Sequence, residues 1–143
     1  MKRIVLVGCS KRKASEAAPA ALLYNSPLFK KAIAYAKYLQ FVGQAAHVLI
    51  LSAKYGAVRP DQILDPYNLD IGSLSELERH CWELNVRGKI EALVAAEGTT
   101  EPVELVWLPG ERYQLDESRF HPHWKHSYPM QSLFVGHGAP FVS

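Results

Sequence analysis

Three short runs of consecutive apolar residues punctuate the chain. They are Ile4-Val5-Leu6-Val7, His47 to Ser52 (HVLILS) and Val103 to Leu108 (VELVWL). Unbroken β-branched and aliphatic runs of this length mark strands covered on both faces, as in a parallel sheet. Between them the apolar period lengthens to that of a helix. Ser26 caps and Pro27 suits the first helical position, so a helix starts there and ends before Gly43. Its predicted inner face is Leu28, Ala32, Tyr35 or Ala36, and Leu39, with Lys30, Lys31 and Lys37 outside. Ser73 and Ser75 each precede a glutamate by three residues, a capping-box pattern that opens a second helix running to about Glu97. Gly88 weakens that helix modestly and Gly98 ends it.

The remaining segments are less regular. Ser15 to Leu23 is Ala-rich but broken by Pro19, and reads as loop or short helix. Ala57 to Gly72 holds Pro60, Pro66 and several aspartates. It is too long for a mere connector, and long ordered loops in small domains tend to be functional. Asp116 to Tyr128 is polar and His-rich, and Met130 to Val135 holds a short strand or a helix start. No internal repeat and no low-complexity tract interrupts this order.

Strand, helix, strand, helix, strand is the alternation of a parallel sheet with helices on its faces. The expected fold is α/β: one domain spanning residues 1–143, with a mainly parallel, Rossmann-like three-layer sheet. The length supports one domain with a proper core. With 48% hydrophobic and 21% charged residues, disorder is disfavoured. A net charge of +2 is too small for coating a duplex by charge alone, so any anion site is local. No apolar run approaches the ~18 residues of a membrane helix. Two lone thiols, Cys9 and Cys81, and no signal peptide fit a cytoplasmic protein. Cys81, inside a helix, is expected in the core.

Parallel sheets bind ligands outside the carboxyl ends of their strands. All three strand ends here carry side chains with chemistry. The first loop, Cys9-Ser10-Lys11-Arg12-Lys13, offers backbone N–H groups, a hydroxyl and cations to an anion. Ser10 donates a hydrogen bond and Lys13 is a point charge for phosphate. Neither the P-loop nor the dinucleotide glycine spacing is present, which disfavours nucleoside triphosphatases and standard dinucleotide enzymes. The second loop adds Lys54, the flat ring of Tyr55, and Gly56, which lets a ligand approach the backbone. The third adds Gly110, Arg112 and Tyr113. Asp65 and Tyr67, in the long loop, supply a carboxylate and a further ring. Cations beside aromatics suit a nucleotide: charge for phosphate, a ring for the base. The plain alternative is that the cations are a solvated turn and the tyrosines pack the rim.

Cys9 is the candidate nucleophile, since adjacent cations favour the thiolate. The alternative is a small buried residue closing the strand. No histidine can be assigned as its base from the sequence. His121, His123 and His126 are spaced for a shared metal only if the segment is extended. No Cys, Asp or Glu lies at a matching spacing, so a surface loop is the default. Neither a metal nor another cofactor is called for.

Cys9-Ser10-x-x-Lys13, Leu23 to Phe29, Leu49 to Gly56, Asp65-Pro66-Tyr67, Gly110 to Tyr113 and Tyr128-Pro129 through Gly136 occur in an order that resembles a domain-of-unknown-function family of small bacterial and phage proteins. That resemblance covers nearly the whole chain. More distantly, the Cys-Ser-x-x-Lys loop and the Ser52-Ala53 strand end are similar to a domain of archaeosine synthase, which modifies a deazaguanine base in transfer RNA. The Ser-x-x-Lys part is similar to the loop near the start of the YaaA peroxide-stress family, linked to DNA. These resemblances imply an α/β fold, a nucleobase or nucleic-acid substrate, and Cys9, Ser10 and Lys13 in the pocket. The chain departs from archaeosine synthase after Lys13, where Ala14-Ser15-Glu16 replaces a Pro-Tyr-Ser continuation.

The expected function is therefore binding of a nucleotide, nucleoside or nucleic-acid base in DNA or RNA, with glycosidic-bond cleavage or base modification as the reaction. Cys9, Lys13 and Asp65 are the catalytic candidates. Ser10, Lys54, Tyr55, Gly56, Tyr67, Gly110, Arg112 and Tyr113 are the binding candidates. Two alternatives are a non-catalytic nucleotide or single-strand binding module in stress or phage defence, and a metal-dependent hydrolase using the C-terminal histidines.

Overall fold

The first apolar run lies at the centre of the sheet. The computed structural model describes residues 2–10, 13–98, 101–108 and 119–129. Strand β1 (Lys2–Gly8) pairs in parallel with β3 (His47–Ser52) on one side and β6 (Val103–Leu108) on the other. Ile4, Val5, Leu6 and Val7 have no exposed surface, which is why the run is continuous rather than alternating. β4 (Gly56–Val58) adds to β3 antiparallel, and β7 (Lys125–Ser127) adds to β6 in parallel, giving the order β4-β3-β1-β6-β7. The fold is a single α/β domain with a mostly parallel sheet flanked by helices.

Helix α2 (Pro27–Phe41) follows a short helix α1 (Ala20–Leu23) and packs on β1 and β3. Helix α3 (Glu76–Ala96) packs against β4. The step from β1 to β3 and the step from β3 past β1 to β6 cross the sheet in opposite directions. Right-handed crossovers then require the two helices to lie on opposite faces. Ser26 Oγ accepts from Phe29 N at 3.2 Å, and Ser75, not Ser73, forms the capping box with Glu78. Each cap contributes about 1 kcal/mol.

The inner face of α2 differs from the expectation. Phe29, Ala32, Ile33, Ala36 and Leu39 are buried, while Leu28 and Tyr35 face outward. The apolar stripe is wider than the outer aromatics suggested, and the sheet selects the half with the bulkier Phe29 and Ile33. Cys81 is exposed, not in the core, because Trp82, Val86 and Ile90 form the buried stripe of α3. The long irregular stretch contains more order than its composition implies. β5 (Ile63–Leu64) pairs antiparallel with β2 (Ala18–Pro19), and a 3-10 turn spans Ile71–Ser73. Ala20 N donates to Gln62 O at 2.8 Å and Ala21 N to Pro60 O at 2.9 Å, which ties this stretch to the start of α1.

Glu104 is a buried carboxylate on β6, directly opposite Arg3 on β1. Burial alone would raise its pKa, but hydrogen bonds from Arg3, at 2.8 Å, and Ser127 outweigh that and hold it below the usual carboxylate range. Among the described residues no helix is long and apolar enough to cross a membrane. The segment from Met130 to Val135 lies outside the described residues.

Gly56 sits at a φ of 73°, and a Cβ there would meet Asn85 Oδ1 of α3 at 2.6 Å. Gly43 has a φ of 77°, and a Cβ there would meet nothing within 4 Å. Gly43→Ala should therefore cost only the left-handed backbone term, ~1–2 kcal/mol. Gly56→Ala should cost clearly more, measured as a lower urea midpoint. Equal midpoints for the two variants would show that Asn85 yields freely.

Candidate functional site

The parallel register of β1 and β3 places Gly8 opposite Leu51, and the pairing continues one step further, with Cys9 N donating to Leu51 O at 3.1 Å. Cys9 is thereby fixed beside Ser52 at the carboxyl ends of the two strands. Both are buried, Ser52 completely and Cys9 with 8% of its surface exposed. Two tyrosines close the space above them. Tyr24 arrives from the end of α1, and Tyr67 from the loop after β5.

The hydroxyls form a closed circuit. Ser52 Oγ accepts from Tyr55 N at 3.1 Å and from Tyr24 Oη at 2.9 Å. Those two bonds fill both of its lone pairs, so its own proton goes to Tyr67 Oη, 2.9 Å away. Tyr67 Oη lies 2.7 Å from Tyr24 Oη and 3.7 Å from Cys9 Sγ. Donation to Tyr24 completes a ring running Tyr24 to Ser52 to Tyr67 and back. Donation to Cys9 breaks that ring. The contact with the sulfur runs either way: a Cys9 thiol donates to Tyr67 Oη with the ring intact, whereas a Cys9 thiolate accepts the Tyr67 proton. Burial pushes the pKa of both phenols well above the ordinary tyrosine value, so both remain neutral proton donors.

Lys13 reaches the cluster through a short antiparallel bridge to Tyr24, backed by Ala14 N donating to Leu23 O at 2.7 Å. Directly opposed residues share a face, so Lys13 and Tyr24 point the same way. The Lys13 ammonium lies over the ring of Tyr67, 4.2 Å from its centroid, and 5.8 Å from that of Tyr24. Burial lowers the Lys13 pKa, against the smaller opposing pull of Cys9 and Asp70. Desolvated ammonium groups of this kind bind anions strongly and give up a proton more readily.

The second strand-end loop is held from below by α3. Trp82 Nε1 donates to Ser52 O at 2.8 Å, and Lys89 Nζ donates to the carbonyls of Tyr55 and Ala57, each at 3.3 Å. Tyr55 stands edge-on to Tyr67 with centroids 5.5 Å apart, and its hydroxyl donates to the backbone oxygen of Asp65 at 3.2 Å. Lys54, exposed, lies over Tyr55 at 5.3 Å. Lys13 and Lys54 thus cover the two rings of one tyrosine pair.

The structure brings Cys9, Lys13, Tyr55, Tyr67 and Lys54 together, with Ser10 following Cys9 as a half-buried residue. The space beside Gly56 is occupied by Asn85 and Lys89. Asp65 contributes its carbonyl, with its side chain exposed; the carboxylate that acts on Lys13 is Asp70, which also caps the 3-10 turn through Gly72 N at 3.2 Å. Gly110, Arg112 and Tyr113 lie outside the described residues. Tyr24, Ser52 and Asp70 were not singled out as site residues by sequence reasoning. Tyr24 and Ser52 stand inside the family-like segments, the only signal that pointed to them. A groove of about 320 Å³ opens elsewhere, along the first half of β3 between Gln40, His47, Arg59 and Leu93.

Of the three histidines His121, His123 and His126, the last is used for packing, while the first two are exposed. His126, on β7, stacks on Trp107 and accepts from its Nε1 at 3.0 Å through Nδ1. His121 Nδ1 accepts from His123 N at 3.2 Å. Among the described residues no group of three or more His, Cys, Asp and Glu side chains could hold a metal ion.

The model of a family of unknown function, DUF6884, matches residues 4–141. No curated protein and no solved structure matches the chain.

The shared proton makes a signed prediction. In a Cys81→Ser background, which removes the exposed thiol, Tyr24→Phe leaves Tyr67 free to donate to Cys9. Tyr67→Phe removes that donor. Hydrogen bonds to a charged group contribute ~1.5–3 kcal/mol. Alkylation of Cys9 by iodoacetamide at neutral pH should therefore be faster in Tyr24→Phe and slower in Tyr67→Phe, about tenfold apart or more. Shifts of the same sign, as a general loosening would give, would sink the circuit.

Proposed function

We propose, from the premise that the chain belongs to the DUF6884 family, that it binds a nucleotide or a nucleobase at the carboxyl ends of β1 and β3 and acts on it. The single observation that carries this reading is the junction of a nucleophile, a proton circuit and a desolvated cation. Cys9 and Tyr67 share a contact at 3.7 Å, and Lys13 lies over the Tyr67 ring. A binding surface alone has no need of a thiol in contact with a switchable phenol.

In this reading Lys13 and Lys54 hold phosphate, with Ser10 donating from the same loop. Tyr55 or Tyr67 offers a ring for a base, each with a lysine over one face, and the Tyr67 hydroxyl also serves Cys9. In glycosidic-bond cleavage the Cys9 sulfur, giving up its proton, bonds to the anomeric carbon as the carbon–nitrogen bond to the base breaks; the departing base takes up a proton, and water then displaces the sulfur and restores the thiol. In base modification the sulfur adds to an unsaturated ring carbon, the electron pair passing into the ring, and is expelled as the product forms. Asp65 or Asp70 accepts from ligand hydroxyl or N–H groups. Gly110, Arg112 and Tyr113 complete the third strand end. The reaction class is glycosidic-bond cleavage or base modification. The similarity of the Cys9 to Lys13 loop to archaeosine synthase and to the YaaA family supports a nucleobase rather than another phosphate ester. The sheet's binding rule supports the location.

A non-catalytic nucleotide-binding module is the second reading, favoured by one observation. The hydroxyl circuit is complete without a ligand, as a rigid platform would be. Removal of Cys9 separates the two: Cys9→Ser should abolish turnover with binding intact if the first reading holds.

Charge-assisted hydrogen bonds contribute ~1.5–3 kcal/mol, so Lys13→Ala should weaken binding of a nucleoside monophosphate more than tenfold. Lys37→Ala, on the outer face of α2, should leave it unchanged. Because burial lowers the Lys13 pKa, the affinity of the wild type should fall on the alkaline side earlier than an ordinary lysine would dictate, and that fall should vanish in Lys13→Ala. Calorimetric titration of the two variants across pH reads both effects. Equal, small losses in both variants would remove Lys13 from the site.

A further inference from the structure

Helix α2 has two faces of opposite character. Its inner stripe, Phe29, Ala32, Ile33, Ala36 and Leu39, is buried against the sheet. The outward face carries Tyr38 with 60% and Phe41 with 89% of their surface exposed, Tyr35 with 39%, and Lys30, Lys31 and Lys37. At helical spacing Lys31 lies one turn before Tyr35, and Lys37 one turn before Phe41. The stretch from Lys30 to Phe41 is about 16 Å long.

Charge along the chain is segregated around this helix. Residues 1–60 hold ten of the sixteen Lys and Arg and one of the fourteen Asp and Glu, a net +9. Residues 61–143 hold the other six and thirteen, a net −7, which returns the chain to +2. No Asp or Glu stands between Glu16 and Asp61. In the folded chain Lys2, Arg3 and Arg59 pair with Glu97, Glu104 and Asp61 of the second half, whereas the three lysines of α2 have no acid on their own helix. That leaves a local basic face of the kind a polyanion fits, which the small overall charge conceals.

We propose that the outer face of α2 is a docking surface for single-stranded nucleic acid. The three lysines meet phosphates, and Tyr35, Tyr38 and Phe41 stack unpaired bases. Stacked, paired bases in a duplex are out of reach of these rings, which makes a single strand the occupant. A membrane-surface helix needs a continuous apolar face with the cations segregated from it. Here the continuous apolar face is already used by the sheet, and the outer face interleaves lysines with aromatics. A second copy of the same face would set lysines against lysines. The proposal stands apart from the strand-end reading, since no residue is shared between the two.

The test is binding of a fluorescent oligothymidylate of about 15 nucleotides, within the span one binding unit covers. Lys30→Ala/Lys31→Ala/Lys37→Ala should weaken binding more than tenfold. It should also flatten the dependence of log affinity on log salt by about 2, at ~0.7 per lost phosphate contact on a single strand. Tyr38→Ala/Phe41→Ala should weaken binding about tenfold and leave the salt slope unchanged. Nucleoside monophosphate binding should be unaffected in both, so loss of one reading leaves the other standing. Unchanged oligonucleotide affinity and salt slope in both variants would overturn the proposal. So would a wild type that ignores the oligonucleotide but binds phosphatidylserine vesicles, or self-associates, through Tyr38 and Phe41.

Discussion

The register of β1 against β3 is the constraint on which the rest of the site depends. Gly8 opposite Leu51 puts Cys9 beside Ser52, and the bond from Cys9 N to Leu51 O locks that step. A slip of one residue would turn every side chain of one strand to the other face. Because Ile4 to Val7 and Val48 to Leu51 are buried, a slip would also misplace their packing against both layers of helices. Core packing therefore fixes the positions of Cys9, which belongs to the core, and of the buried polar Ser52. The site is precise because the hydrophobic sheet below it admits only one register.

Above that register, polarity is managed by closure. A buried hydroxyl without a partner costs ~1–3 kcal/mol. Tyr24, Ser52 and Tyr67 avoid that cost by bonding one another, and Tyr55 N supplies the remaining donor. A circuit of neutral hydroxyls is cheaper to bury than an ion pair, whose desolvation can exceed its attraction. Lys13 is the exception, and it sits on the rim, over an aromatic face that partly replaces its lost hydration. The arrangement leaves the direction of the proton between Tyr67 and Cys9 open. A switchable proton beside a thiol is a feature that packing does not require, which is why it bears on function.

Local signals were legible in the sequence and long-range ones were not. The three apolar runs announced β1, β3 and β6. Ser26-Pro27 and Ser75 with Glu78 announced two helix starts, because capping is settled within four residues. The Cys9 to Lys13 and Ser52 to Gly56 loops were placed at strand ends by topology alone. Tyr24 was not singled out because its partners stand 28 and 43 residues away, and nothing local distinguishes a tyrosine that packs from one that closes a circuit. Asp70 was obscured by Asp65, which has the richer neighbourhood in sequence but spends only its carbonyl on the site. Leu28, Tyr35 and Cys81 were assigned inward because a helix with apolar residues on both sides offers two stripes, and only the sheet chooses between them.

That second stripe on α2 has a physical meaning of its own. Folding explains Phe29, Ile33 and Leu39, which cover β1 and β3. It does not explain Phe41, whose ring is almost entirely in water, or the absence of any acid along the helix. The exposed aromatics leave apolar surface in water and the neighbouring lysines repel one another, so neither feature adds to stability. The same short segment sets both features: Tyr24 ends α1 and enters the hydroxyl circuit, and Pro27, three residues later, starts α2. The polar cluster at the strand ends and the basic aromatic face are therefore joined by extended chain too short to let one move far without the other.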